Sequence, residues 1–174
     1  TKNVFIFAAL VFDKQLFAAD SFLRTLEGFV LFCLISSSVY IFNDLADIES
    51  DRQHPEKKNR PIPLGTLSVS VAWMAGVALV VITLGIACLR APLFAGVIGL
   101  YFLINMAYSK WLKHIPIIDV LIISAGFVLR VGAGVTLIHV ERFSPWLYVV
   151  MTLLSLFLGF GKRRAELSLL AQGA

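Results

Sequence analysis

Charge is scarce in this chain. Lys, Arg, Asp and Glu make up only 15% of the 174 residues, against 59% hydrophobic residues and a mean hydropathy of +0.86, a balance that suits lipid surroundings and poorly suits a soluble core protein. Cysteine is scarcer still. Cys33 and Cys88, the only two, lie inside apolar runs without metal-binding spacing, so both read as buried free thiols. Low-complexity linkers, short-period repeats and any long soluble segment are absent, which leaves residues 1–174 as a single transmembrane domain. A secretory signal is missing too, since Lys2 runs straight into an apolar stretch with no small-residue cleavage pattern. The sequence begins with Thr1, and its first apolar run, Val4 to Phe12, is too short to span, so the chain is expected to begin partway through a helix.

Long apolar runs are what the chain does have. Residues 28–42, 69–89, 91–107, 115–138 and 145–161 each approach the roughly 20 residues that cross a bilayer, without the polar and apolar alternation of a membrane barrel. The expected fold class is therefore all-α, a polytopic helix bundle. Cations alternate between its faces: Arg52, Lys57, Lys58 and Arg60 fall in one connection, Lys110 and Lys113 two crossings later, and Lys162, Arg163 and Arg164 after two more. The connections around Asp13 to Asp20, Arg90 and Glu141 to Arg142 carry no such surplus. Short basic connections stay cytoplasmic, so three polar segments are expected on one cytoplasmic face, either fixing topology alone or building a site there.

One stretch holds unusual charge density. "NDLADIESDRQHPEKKNRPI", residues 43–62, sets five acids against four Lys and Arg. Asp44, Asp47 and Asp51 stand at helical spacings of three and four, so a helix continuing past Asn43 would put the three carboxylates on one face, with Tyr40 extending it inward. Grouped carboxylates near lipid need neutralising, by a divalent metal or by a dense Lys and Arg network. Mg2+ suits oxygen ligands and commonly bridges carboxylates to substrate phosphates. The alternative is a solvated connection whose acids pair with Arg52, Lys57, Lys58 and Arg60. A metal-bound diphosphate would give those same cations, and His54, anionic partners. Pro55, Pro61 and Pro63 interrupt helix propagation and predict a shaped loop folded over the acids.

Read together, NDxxDxxxD at Asn43 to Asp51 and the continuation DRxHPxKxxRPI resemble the first aspartate-rich motif of the UbiA superfamily of intramembrane prenyltransferases. "TKNVF" resembles the family's first helix, "YSKWLKHIPIID" its second cytosolic segment and "GKRRAEL" its third, so the likeness covers nearly the whole chain. It implies a helical bundle of about nine crossings around a cytosol-facing, Mg2+-dependent phosphate site that opens laterally to lipid. About six of the nine crossings are present, as expected of a fragment lacking the start of the first helix and the C-terminal helices. Many superfamily members carry a second DxxxD motif where this sequence has "GFGKRRAELSLL", with Glu166 its one acid. That departure is similar to the decaprenyl-phosphate phosphoribosyltransferase branch, whose donor is phosphoribosyl diphosphate and whose acceptor is a polyprenyl phosphate lipid, a reaction of cell-wall precursor biosynthesis.

The resemblance implies roles for particular residues. Asp44, Asp47 and Asp51 would hold Mg2+, Asn43 would orient a ligand or a ribose hydroxyl, and Arg52, Lys57 and Arg60 would hold donor phosphates. Lys110, Lys113, Lys162 and Arg163 would take the donor's other phosphate or the lipid phosphate. Lys2 either reaches the cavity or snorkels to the interface, and Tyr108 is either an ordinary interfacial tyrosine or a phosphate hydrogen-bond donor. Glu166 stands four residues after Lys162 and would orient it. Asp119 and Arg130 are eleven positions apart, about three turns, and share a stripe of one helix. Arg130 then lies at membrane depth, facing a polar cavity or a structural partner. Gly126, Gly132 and Gly134 nearby suit close helix packing. Prenyl transfer from a polyprenyl diphosphate to a small acceptor would use the same metal site, and a transporter is a third reading, for which no inverted repeat speaks. The bilayer of the plasma (inner) membrane is the expected location. Nucleic acid is not an expected partner, and the sequence does not address the oligomeric state.

Overall fold

Backbone that crosses lipid must satisfy its hydrogen bonds without water, and the runs of Leu, Ile, Val, Ala and Phe meet that demand as helices. The computed structural model describes residues 2–55, 57–112, 115–140 and 145–172, without the side chains of 116, 162 and 166–172. In chain order these are a 3-10 segment Lys2–Phe7, α1 (Ala8–Phe12), α2 (Ala19–Ala46), α3 (Ile48–Gln53), a short 3-10 turn Lys57–Asn59, α4 (Pro61–Leu64), α5 (Val69–Arg90), α6 (Pro92–Lys110), α7 (Pro116–Val135) and α8 (Pro145–Gln172). Among the described residues α2, α5, α6, α7 and α8 contain the five stretches long and apolar enough to cross a membrane, with the shorter apolar segment Lys2–Phe12 beside them. The chain is all-α, as its sequence predicts.

Local chemistry marks the ends. Proline opens α4, α6, α7 and α8, where its missing N–H would have had no intrahelical partner. Ser68 caps α5 by accepting the Val71 N–H at 3.3 Å. Gly65 closes α4 at φ 84°, a left-handed conformation that a side chain would strain. One boundary departs from expectation: α2 begins at Ala19, well before the apolar run at residue 28. Asp20 and Arg24 pair one turn apart at 3.1 Å, and Glu27 holds Arg90 through two bonds of 3.0 and 3.1 Å, so charged residues that break the hydropathy pattern are accommodated at the helix end.

α2 runs beside α5 and α6, and the Lys2–Phe7 segment packs between α2 and α7. Phe32 and Ile35 of α2 meet Phe94 and Ile98 of α6 in a core from which solvent is fully excluded. Large apolar side chains such as Met74, Val81, Leu103 and Phe157 point outward instead, the inverse of a soluble surface and the belt that lipid would cover. Without a hydrophobic force between helices in lipid, close approach decides packing. A Cβ at Gly134 would overlap the Ile6 carbonyl, and one at Gly76 would stand 2.9 Å from the Phe42 ring. The packing role expected of Gly134 is what the structure gives it. Ser124 and Ser155 add a hydroxyl contact of 2.7 Å between α7 and α8.

Candidate active site

α2 stops at Ala46, Asp47 turns the chain, and α3 restarts at Ile48, so the acids lie on two helices joined by a one-residue break. The Asp47 carbonyl still accepts the Asp51 N–H at 2.8 Å, which keeps Asp51 one turn above it. After α3 the chain bends at His54 and folds back through Lys57–Asn59 into α4, bringing its cations over the acids. Nη1 of Arg60 lies 2.7 Å from Asp44 Oδ1 and 3.2 Å from Asp51 Oδ2, a single nitrogen between two carboxylates. Lys57 Nζ stands 3.6 Å from the other Asp51 oxygen. Asp51 is 2% exposed, so two cations neutralise a buried acid.

Of the two partners that the sequence offers for these acids, the cation network is therefore in place. Among the described residues no group of three or more His, Cys, Asp or Glu is assembled for a metal. Asp44 and Asp51 nevertheless present hard carboxylate oxygens to one cationic atom, and that donor chemistry fits a divalent cation such as Mg2+. Asp47 is near enough for its charge to act on Tyr108. Arg52 is engaged elsewhere, by Glu49 at 3.1 Å and the Pro63 carbonyl at 3.3 Å. His54 accepts the Lys57 N–H at 3.4 Å through Nδ1.

Inward from the acids lies a cavity of 110 Å³, lined by residues that include Lys2, Tyr40, Asn43, Tyr101, Asn105, Tyr108 and Arg130. Asn43 Oδ1 is buried there with no hydrogen-bond partner among the described residues, an acceptor that a ligand would satisfy. Arg130 is 6% exposed and donates to Asn3 Oδ1 at 2.9 Å, the Gly126 carbonyl at 2.6 Å and the Tyr101 hydroxyl at 3.0 Å. Lys2 stands 5.9 Å from the Phe127 ring centre, and Lys110 lies 4.8 Å from that of Trp111. On the cavity's other side Tyr108 donates to Asp119, and the second Asp119 oxygen takes Arg163 of α8.

The structure thus gathers Asn43, Asp44, Asp47, Asp51, Lys57, Arg60, Tyr108 and Arg163 at one end of the bundle, with Lys2 and Arg130 deeper. Lys113 and the side chains of Lys162 and Glu166 lie outside the described residues, as do Glu141 and Arg142. Sequence reasoning missed Asn3, Tyr101 and Asn105. Tyr101, Asn105 and Tyr108 recur at four and three residues along an apolar helix, a polar stripe that would have found two of them. A larger cavity of 690 Å³ opens at the opposite end, around Glu27, Arg90 and Leu137, away from this constellation.

The model of the UbiA prenyltransferase family matches residues 4–162. The chain is 37% identical over 172 residues to the decaprenyl-phosphate phosphoribosyltransferase of Corynebacterium glutamicum, covering 97% of this chain and 52% of that protein. To the protein of that name from Mycolicibacterium smegmatis it is 38% identical over 151 residues, 87% of this chain and 47% of that one. The chain thus spans about half the length of these curated relatives. A UbiA homolog from Archaeoglobus fulgidus, solved bound to DMAPP and Mg2+, aligns with a TM-score of 0.69 at 19% identity, over 90% of this chain and 60% of that one, a likeness of fold.

Proposed function

Because the chain belongs to the UbiA prenyltransferase family, we propose that it is a membrane-embedded, Mg2+-dependent transferase that moves 5-phosphoribose from phosphoribosyl diphosphate to a polyprenyl phosphate. The carrying observation is the basic third segment, GKRRAEL, whose Arg163 is tied to the cavity rim through Asp119 and Tyr108. Two phosphate-bearing substrates repel each other, and fixed cations offset that repulsion where a second acidic motif would add to it. The likeness to decaprenyl-phosphate phosphoribosyltransferases supports the same transferred group and the same class of acceptor.

In this reading an oxygen of the lipid phosphate attacks the anomeric carbon of the ribose. A new C–O bond forms while the C–O bond to diphosphate breaks, and its electron pair leaves with diphosphate. The acceptor is largely ionised near neutral pH, so no strong base is required. Asp44, Asp47 and Asp51 would hold Mg2+, which when bound takes up charge developing on the departing diphosphate. Arg60 and Lys57 turn from the acids to donor phosphates, and Asn43 Oδ1 accepts from a ribose hydroxyl. Lys2, Tyr108 and Arg130 line the cavity that receives the reacting groups, and Lys110 and Arg163 are further cations for the phosphates in this reading. The short basic segments support a cytoplasmic orientation for this face, with the plasma membrane as the bilayer of this reading.

The test is incubation of the full-length protein in membranes with Mg2+, polyprenyl phosphate and radiolabelled phosphoribosyl diphosphate. Label should enter the lipid fraction with release of diphosphate. Failure of that transfer, with prenylation of an aromatic acceptor from a polyprenyl diphosphate, would overturn the donor assignment in favour of the chemistry suggested by the DMAPP-bound fold relative.

A further inference from the structure

Asp119 has no place in the reaction as derived above, yet it is among the most enclosed charged groups in the bundle, 3% exposed in the first turn of α7. Its two oxygens serve two different helices. Oδ1 accepts from the Tyr108 hydroxyl of α6, and Oδ2 pairs with Nη2 of Arg163 on α8, so one carboxylate joins three helices at the candidate site's end of the bundle. Both partners lead toward the site. Tyr108 lines the polar cavity beside Asn43, and Arg163 keeps 39% of its side chain exposed while one edge is held by the buried acid.

We propose that Asp119 is a positioning residue: it fixes Arg163, and with it Tyr108, at the cavity rim, so that the guanidinium is already placed when the diphosphate arrives. A long Arg side chain at a helix surface otherwise samples many rotamers, and holding it in advance removes that ordering cost from binding. A carboxylate in the first turn of α7 is itself favoured by the helix dipole, which keeps the anchor charged. This inference rests on the assignment of Arg163 to phosphate binding. It goes beyond that assignment in naming the residue that makes the cation usable.

The sign of the effect separates positioning from simple electrostatics. Removing an acid near an anion-binding site lowers repulsion and by itself would tighten anion binding. Weaker binding in Asp119→Asn therefore reports lost placement of Arg163. The experiment measures Mg2+-pyrophosphate binding by the purified full-length protein for wild type, Asp119→Asn, Arg163→Gln and the double variant, with thermal unfolding recorded alongside. Asp119→Asn and Arg163→Gln should each weaken binding about tenfold, with the double variant no weaker than either, because both remove one shared device. The neutral double variant should also recover thermal stability lost by Arg163→Gln, which strands a buried carboxylate, without recovering binding.

Wild-type or tighter binding by folded Asp119→Asn overturns the proposal, as do single effects that multiply in the double variant. Should Asp119→Asn not fold, Asp119→Glu keeps the charge and shifts it by one methylene. Severalfold weaker binding then supports positioning, and unchanged binding overturns it. Pyrophosphate is common to either donor, so loss of its binding in a protein that transfers no phosphoribose would retire the donor assignment and leave the role of Asp119 standing.

Discussion

Arg130 is a cation kept in the bundle interior without an acid beside it. Among the described residues no carboxylate pairs with it; an amide oxygen, a backbone carbonyl and a tyrosine hydroxyl take its three nitrogens, and the rings of Phe32, Tyr101 and Phe127 surround the guanidinium at 5.4, 5.0 and 5.7 Å. Lysine presents a point charge in place of a planar fork. Arg130→Lys is therefore expected to leave Asn3 or Tyr101 without its donor and to cost about 1–3 kcal/mol, read by thermal unfolding in detergent. Asp44 is a different case, because it is partly exposed and shares its cation. Asp44→Asn should reduce the proposed phosphoribosyl transfer at least about 100-fold, roughly 2.7 kcal/mol of barrier, while membrane fractionation shows normal insertion; undiminished transfer would remove Asp44 from the proposed metal site. The stripe linking Asp119 to Arg130 was legible in their spacing, but their partners were not. Asn3 is 127 residues from Arg130 and Arg163 is 44 from Asp119, separations at which helix periodicity carries no information.

The membrane-length helices were legible as elements because each needs a continuous apolar run and several are opened by Pro. Their ends were less so. α2 reaches back to Ala19 through three charged residues whose partners, Arg24 for Asp20 and Arg90 for Glu27, make them tolerable. Its far end breaks at Asp47, where the 3.6-residue period alone predicts continuation to Asp51. The N-terminal segment depends on a tighter fit than any periodicity reveals. Gly134→Ala places a methyl group against the Ile6 carbonyl, backbone that cannot turn aside as a side chain would. It is expected to displace Lys2–Phe7 from α7 and lower stability by about 1–3 kcal/mol, measured as a lower melting temperature. Gly85→Ala on α5, where beyond the helix's own nearby backbone no described atom comes within 4 Å of the added carbon, serves as the control and should melt no lower than wild type.

At the scale of the whole molecule, alternating basic connections and, among the described residues, five membrane-length helices predict which face meets the cytoplasm. In a background with Cys33→Ser and Cys88→Ser, a cysteine replacing exposed Lys58 should react with an impermeant maleimide only in inside-out vesicles. One replacing Phe17, 96% exposed between α1 and α2, should react only in right-side-out vesicles; the reverse pattern would invert the assigned topology. The single Arg60 nitrogen shared by Asp44 and Asp51 has a further consequence for how such a protein meets its ligands. At rest the site is its own counterion. A divalent cation arriving alone would displace Arg60 from its carboxylates, and a diphosphate arriving alone would draw Arg60 off and leave Asp44 without its cation and Asp51 with Lys57 alone. On the proposed reading the two together satisfy both, so the loop would act as a coincidence gate, and Mg2+ and pyrophosphate should each bind far more tightly in the other's presence, a synergy that titration calorimetry would register and that Arg60→Ala should diminish.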